Sequence, residues 1–175
     1  MARIRILGVL LAGVFAAFAA PAHAQISSEG GPIYINSDRT ESLELERKVL
    51  LIGNVDIQQG DARLRADTVT IIFAERSGDA AGSSVGGNFG QVQTMLAEGS
   101  VFYITPELKA KGDRGTYEAA IDTITITGNV ALMRERDVAE GETLKVEVGN
   151  RRTTLDGGTG RTRMVIEPEN ESGSN

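Results

Sequence analysis

The stretch TITITGNVAL, residues 123–132, places Ile124, Ile126, Val130 and Leu132 on one parity, with Gly128 in the same row. A two-residue hairpin turning over Gly128 and Asn129 would pair Ile126 with Ala131 and Ile124 with Met133, and directly paired residues share a face. The inward residues after the turn would then be Ala131 and Met133, yet the apolar side chains stand at 130 and 132. The unbroken row fits a strand that passes through and bends sharply, with Gly removing the side chain at the inside of the corner. A three-residue loop keeps the same parity and remains open as an alternative.

The same step recurs in IGNVDI (52–57) and EGSVFY (98–103), with apolar rows over 49–57 and 95–103. The copies are regularly spaced. Gly53 to Asp67, Gly99 to Asp113 and Gly128 to Glu142 each span 14 residues, while Asp38 to Gly53 and Asp113 to Gly128 each span 15. The unit is therefore 29 residues, and a further 15 from Glu142 reaches Gly157 in the degenerate copy LDGGTGR (155–161). Gly53 to Gly99 is longer by 17 residues, and the surplus falls in SGDAAGSSVGGNFGQVQ (77–93), which reads as a flexible low-complexity insertion. Repeats of this length mean stacked supersecondary units that complete one another's core.

Period-two alternation extends well beyond these copies. Val49, Leu51, Val55 and Ile57 share a parity, as do Val69, Ile71 and Phe73, and again Leu144, Val146 and Val148, with Thr, Glu, Arg and Gln at many positions between. Such segments are half-buried strands with one wet face. The expectation is an all-β sandwich, barrel or related stack, with no substantial helix after the leader.

That leader is residues 1–24. Arg3 and Arg5 precede ILGVLLAGVFAAFAA, and AHA at 22–24 is an A-x-A cleavage site, so the pattern predicts a cleaved signal peptide and export to the periplasm. Residues 25–166 then form one domain carrying the 77–93 insertion, and 167–175 (EPENESGSN) a disordered tail. The leader holds two of the 18 basic residues and none of the 24 acids, so the remainder carries 16 basic against 24 acidic side chains. That balance argues against nucleic acid as a partner. There is no Cys, and the one His, His23, lies in the leader. The usual zinc sites, a Ser-His-Asp triad and a Cys nucleophile are thereby excluded, and no metal, cofactor or catalytic residue is expected.

Asp67, Asp113 and Glu142 invite a reading as catalytic carboxylates, since paired acids perform glycosidic chemistry. Their recurrence with the repeat favours an architectural role, each filling the same turn position and accepting backbone N–H bonds. A periplasmic carbohydrate-active enzyme using Asp67 and Asp113 is one alternative function. A structural β-repeat interaction module with a dry core is the other. Arg134, Arg136, Arg151, Arg152, Arg161 and Arg163 meet lipid phosphates or simply face solvent, and both readings stay open.

PIYINSD (32–38), LLIGNVDIQQGDARLRADTVTI (50–71) and GTYEAAIDTITITGNVAL (115–132), in this order and behind a signal peptide, resemble the OstA-like proteins over roughly 32–155. The resemblance implies an open, twisted, V-shaped β-jellyroll of antiparallel strands. Its apolar groove would shelter the lipid A acyl chains of lipopolysaccharide without cofactor or enzymatic chemistry. It also implies head-to-tail self-association, and edge contacts with an LptC-like inner-membrane protein and an LptD-like outer-membrane protein. The expected lining is Ile33, Ile35, Val55, Ile57, Val69, Ile71, Phe73, Ile124, Ile126, Val130 and Leu132. Phe102 is carried over from the family's aromatic near the groove, although alternation sets it opposite Val101 and Tyr103.

Overall fold

The computed structural model describes Ile26, residues 31–75 and residues 90–167. The leader, most of the 77–93 insertion and the tail from 168 lie outside the described residues.

Ten strands run in chain order: β1 (Ile33–Asn36), β2 (Arg39–Leu43), β3 (Lys48–Gln59), β4 (Ala62–Phe73), β5 (Val92–Ile104), β6 (Lys109–Glu118), β7 (Thr123–Arg134), β8 (Asp137–Glu147), β9 (Arg152–Asp156) and β10 (Arg163–Val165). Single 3-10 turns at Glu44–Glu46 and Ala119–Ile121 are the helical elements among the described residues. All pairings are antiparallel, and β3 to β8 form a meander of long hairpins. At one edge β3 carries β1 on residues 56–59 and β2 on residues 48–52. At the other edge β8 carries β10 on residues 138–140 and β9 on residues 143–147. Strand β5 begins at Val92, paired with Phe73, so the stretch read as an insertion ends two residues earlier than its sequence suggests.

Gly128 lies inside β7, which excludes both the tight hairpin and the three-residue loop. The strand bends there through a bulge, two residues of β7 facing one of β8 between the Thr127–Thr143 and Val130–Gly141 pairs. The same irregularity divides β3 from β4 between Ile52 and Val55, and β5 from β6 between Glu98 and Val101. An extra residue bends its strand and steepens the local twist. Aligned across the meander, these bulges crease one sheet into two walls.

The crease has a recurring chemistry. Gly53, Gly99 and Gly128 have φ of 77°, 75° and 80°, and Asn54, Ser100 and Asn129 follow at 45°, 47° and 48°. Gly is needed for its positive φ, and because the acid of the preceding strand or link occupies the space a Cβ would take: Asp38 at Gly53, Asp67 at Gly99 and Asp113 at Gly128. The place of the missing Cβ is therefore filled by a solvent-exposed carboxylate, a different reason for Gly than clearance alone. Asn54 and Asn129 donate to those carboxylates at 2.7 and 2.9 Å. Asp67, Asp113 and Glu142 do recur at equivalent positions, but within strands β4, β6 and β8 rather than in turns.

Parity records the crease on both kinds of strand. On the two-residue side it is preserved, so Met95, Ala97, Val101 and Tyr103 are all buried. On the one-residue side it breaks at the acid: Ala62, Leu64 and Ala66 are buried before Asp67, then Val69 and Ile71 after it. The core thus lies entirely on the concave side, between the walls.

Candidate ligand groove

The registers assemble the concave side into cross-strand rows. On the wall formed by residues 48–52, 68–73, 92–98, 114–118, 123–127 and 143–147, one row reads Leu51, Val69, Ala97, Gly115, Ile126, Leu144 and Leu155. On the facing wall a row reads Ile35, Ile57, Leu64, Tyr103, Ala110, Leu132, Ala139 and Met164. The second runs from edge to edge with apolar or small side chains, whereas the first runs from β3 to the β9 edge and ends against Thr40 of β2. Directly opposed side chains on a sheet face touch, so such a row is a continuous apolar track.

The expected lining residues fall as follows. Val55, Ile57, Val69, Ile71, Ile124, Ile126 and Val130 are buried on the concave side. Ile33, Phe73 and Leu132 are half-buried and pack against that cluster. Ile35 pairs with Ile57 and so shares its concave face, yet is 44% exposed because β1 is an edge strand. Phe102 does not line the groove: it is 41% exposed on the convex face, with Val101 and Tyr103 beside it pointing inward. Strand alternation outweighs the carry-over there.

The groove is not uniformly filled. Near the β8–β10 edge a cleft of about 320 Å³ opens between Leu132, Ala139 and Met164 on one wall and Thr153 and Leu155 on the other. A smaller cleft of about 130 Å³ lies where the turn at 105–108 meets residues 146–151. Further along the groove, towards β4 and β5, the walls close on Ile26, leaving about 10 Å³ among Leu64, Met95, Tyr103, Tyr117 and their neighbours.

Polar side-chain atoms that interrupt the apolar lining include the Gln59 amide and the hydroxyls of Tyr103 and Tyr117, the last donating to Asp122 at 3.1 Å. Gln59, 2% exposed, accepts the Ile26 N–H at 2.7 Å and donates to the Gly31 carbonyl at 3.1 Å. Tyr103 donates to the Ile26 carbonyl at 3.0 Å. Burial pushes the Tyr103 phenol up to about 12, with the charges of Asp122 and Glu107 adding to the shift. Sequence reasoning singled out none of Leu64, Gln59 or Ile26. Leu64 was legible in the alternation of ARLRA (62–66), but Ile26 carries no local signal.

The acids at the crease stand apart, each against its own Gly rather than against another acid. Arg134 and Arg151 reach the clefts, Arg151 lying 3.9 Å from Glu107, while Arg163 lies 3.5 Å from Glu140 on the exposed edge. Among the described residues no cluster of His, Cys, Asp or Glu is placed to hold a metal ion.

Fold and groove together define a class: an open β-jellyroll whose interior is an apolar track from edge to edge. Residues 34–152 match the family described as LptA/(LptD N-terminal domain) LPS transport protein, and the chain belongs to that family. The family is one of non-enzymatic lipopolysaccharide transport, as the resemblance to OstA-like proteins implied. The lipopolysaccharide export system protein LptA of Escherichia coli (strain K12) is 28% identical over 141 residues, 78% of this chain and 70% of that protein. An uncharacterized protein of Rhizobium meliloti (strain 1021) is 27% identical over 143 residues, 81% and 74% of the two chains. The LPS-assembly protein LptD of Yersinia enterocolitica is 30% identical over 129 residues, 73% of this chain but 15% of LptD, so the likeness is to one part of a far longer protein. The crystal structure of LptH, the LptA-homologous periplasmic component of the lipopolysaccharide transport device of Pseudomonas aeruginosa, shares the fold. Its TM-score is 0.65 at 20% identity, over 85% of this chain and all of that one.

Proposed function

We propose that the chain is a periplasmic lipopolysaccharide carrier that shelters lipid A acyl chains in its groove and bridges the inner- and outer-membrane transport complexes end to end. The observation that carries this is the apolar row that reaches both edges of the sheet, exposed at Ile35 at one end and at Met164 at the other. Each methylene removed from water gains about 0.8 kcal/mol, so a long acyl chain gains on the order of 10 kcal/mol without a head-group site. An open track offers that shelter along its whole length, so the lipid moves on without crossing bare water.

The edge strands support the bridging part. Among the described residues, β1 and β2 at one end, and β9 and β10 at the other, each leave one side without a strand partner. Unpaired edges accept further strands, and a second jellyroll added there continues the rows. Like copies, an LptC-like inner-membrane protein and an LptD-like outer-membrane protein are the fitting partners.

Titration with lipopolysaccharide and with its deacylated form tests the carrier reading. Binding to the first and none to the second is expected. Equal binding to both would point to a saccharide or phosphate site instead.

A further inference from the structure

Ile26 is 1% exposed and sits inside the groove, in a space lined by Leu64 and Tyr103 on one wall and Met95 and Tyr117 on the other. Its backbone is held at both polar atoms, the N–H by Gln59 and the carbonyl by Tyr103. A buried amide costs free energy unless partnered. Both hydrogen bonds of Gln59 go to backbone that precedes β1, at Ile26 and at Gly31. Gln59 and Tyr103 thus supply polar atoms to an apolar wall where a peptide unit needs them. The aliphatic side chain of Ile26 occupies the space that an acyl chain following the Ile35–Met164 row would need.

We infer that Gln59 and Tyr103 form a backbone clamp that seats Ile26 as a displaceable stopper in the middle of the groove. The inference rests on the acyl-carrier reading and adds to it a step in which an incoming chain displaces Ile26. An empty apolar track in water is unfavourable, and the stopper covers its centre when no lipid is present. Stopper and acyl chain compete for one space, so the apparent affinity falls by the fraction of molecules left unseated. Burial of one Ile side chain favours the seated state by about ten- to a hundredfold, which a long acyl chain outweighs.

The absence of Cys from the chain allows a direct test in the exported form, residues 25–175. Ile26→Cys with Leu64→Cys should form a disulfide readily without ligand, and saturating lipopolysaccharide should slow it. The bridged protein should take up cis-parinaric acid poorly, and reduction should restore uptake. Ile26→Ser and, separately, Gln59→Leu should bind this fatty acid about tenfold more tightly than the parent. Gln59→Leu keeps the wall apolar and so guards against a folding defect at position 26. If bridged and reduced forms bind alike, or if both variants match the parent, the stopper is refuted while the carrier reading stands. If parent, reduced form and variants all fail to bind either lipid, the carrier reading itself fails, and the stopper with it.

Discussion

Asp113 stands so close to Gly128 that a Cβ there would lie 2.5 Å from its Oδ2, the same oxygen that receives the Asn129 side-chain amide at 2.9 Å. One carboxylate therefore takes the place of a side chain at the bend and ties down the residue after it. Asp38 does the same for Gly53 and Asn54 at the first of the three bends.

Gly128→Ala should destabilise the protein by about 2–4 kcal/mol, from a Cβ in the positive-φ region and its overlap with Asp113. Asp113→Ala in the same chain should recover part of that loss, because the overlap disappears while the φ cost remains. Urea unfolding of the four proteins of this double-mutant cycle measures the coupling, and simple additivity would contradict the relationship.

Asn129 has φ of 48°. Asn129→Gly should cost about 1 kcal/mol, for the lost side-chain hydrogen bond alone. Asn129→Val should cost about 2–3 kcal/mol, since a β-branched residue resists that conformation. Thermal unfolding should rank the two in that order.

Core and lining separate by position. Ile126 is 0% exposed at the centre of its row, and Ile126→Ala should cost about 2–4 kcal/mol. Leu132 is half-buried at the 320 Å³ cleft, so Leu132→Ser should cost about 1–2 kcal/mol yet weaken acyl-chain binding more than tenfold. Equal losses of stability would mean that the cleft is ordinary core.

The Tyr103 phenol, raised to about 12 in the fold, contributes stability that is complete below the ordinary value of 10. That contribution is lost as pH rises from 10 through 12, because the unfolded chain releases the proton first. Tyr103→Phe should flatten the fall in melting temperature over that window and remove the last phase of a tyrosinate absorbance titration. Asp56 has the opposite sign. The Arg63 hydrogen bond holds its carboxyl below the usual 3.8, so its contribution is lost as acid carries the pH down through that lowered value.

The long strands were legible because each inward position between Leu51 and Ile57, or Ile124 and Leu132, is apolar or Gly, and a two-residue bulge leaves parity intact. The strands across from them were legible only in half. A single residue at Asp67 or Asp113 shifts the frame, so the alternation of Ala62, Leu64 and Ala66 does not join that of Val69 and Ile71. Leu64 therefore stayed outside the expected lining although it is buried in it, whereas Tyr103 lies on the intact row 95–103, which was legible but not carried into the lining. Phe102 went the other way, because a residue type near a groove in relatives says less than its parity. The seat of Ile26 was beyond reach, since a contact with Tyr103 across 77 residues depends on tertiary packing rather than any local pattern.

Photo-crosslinking in cells is the most direct measure of the central claim that the concave side carries the lipid. Benzophenone side chains placed at Ile35, at one end of a concave row, and at Leu132, further along it, should capture lipopolysaccharide, while the same group at Phe102 or Thr125 on the convex face should not. Capture of equal strength on both faces, or capture on the convex face alone, would contradict the account.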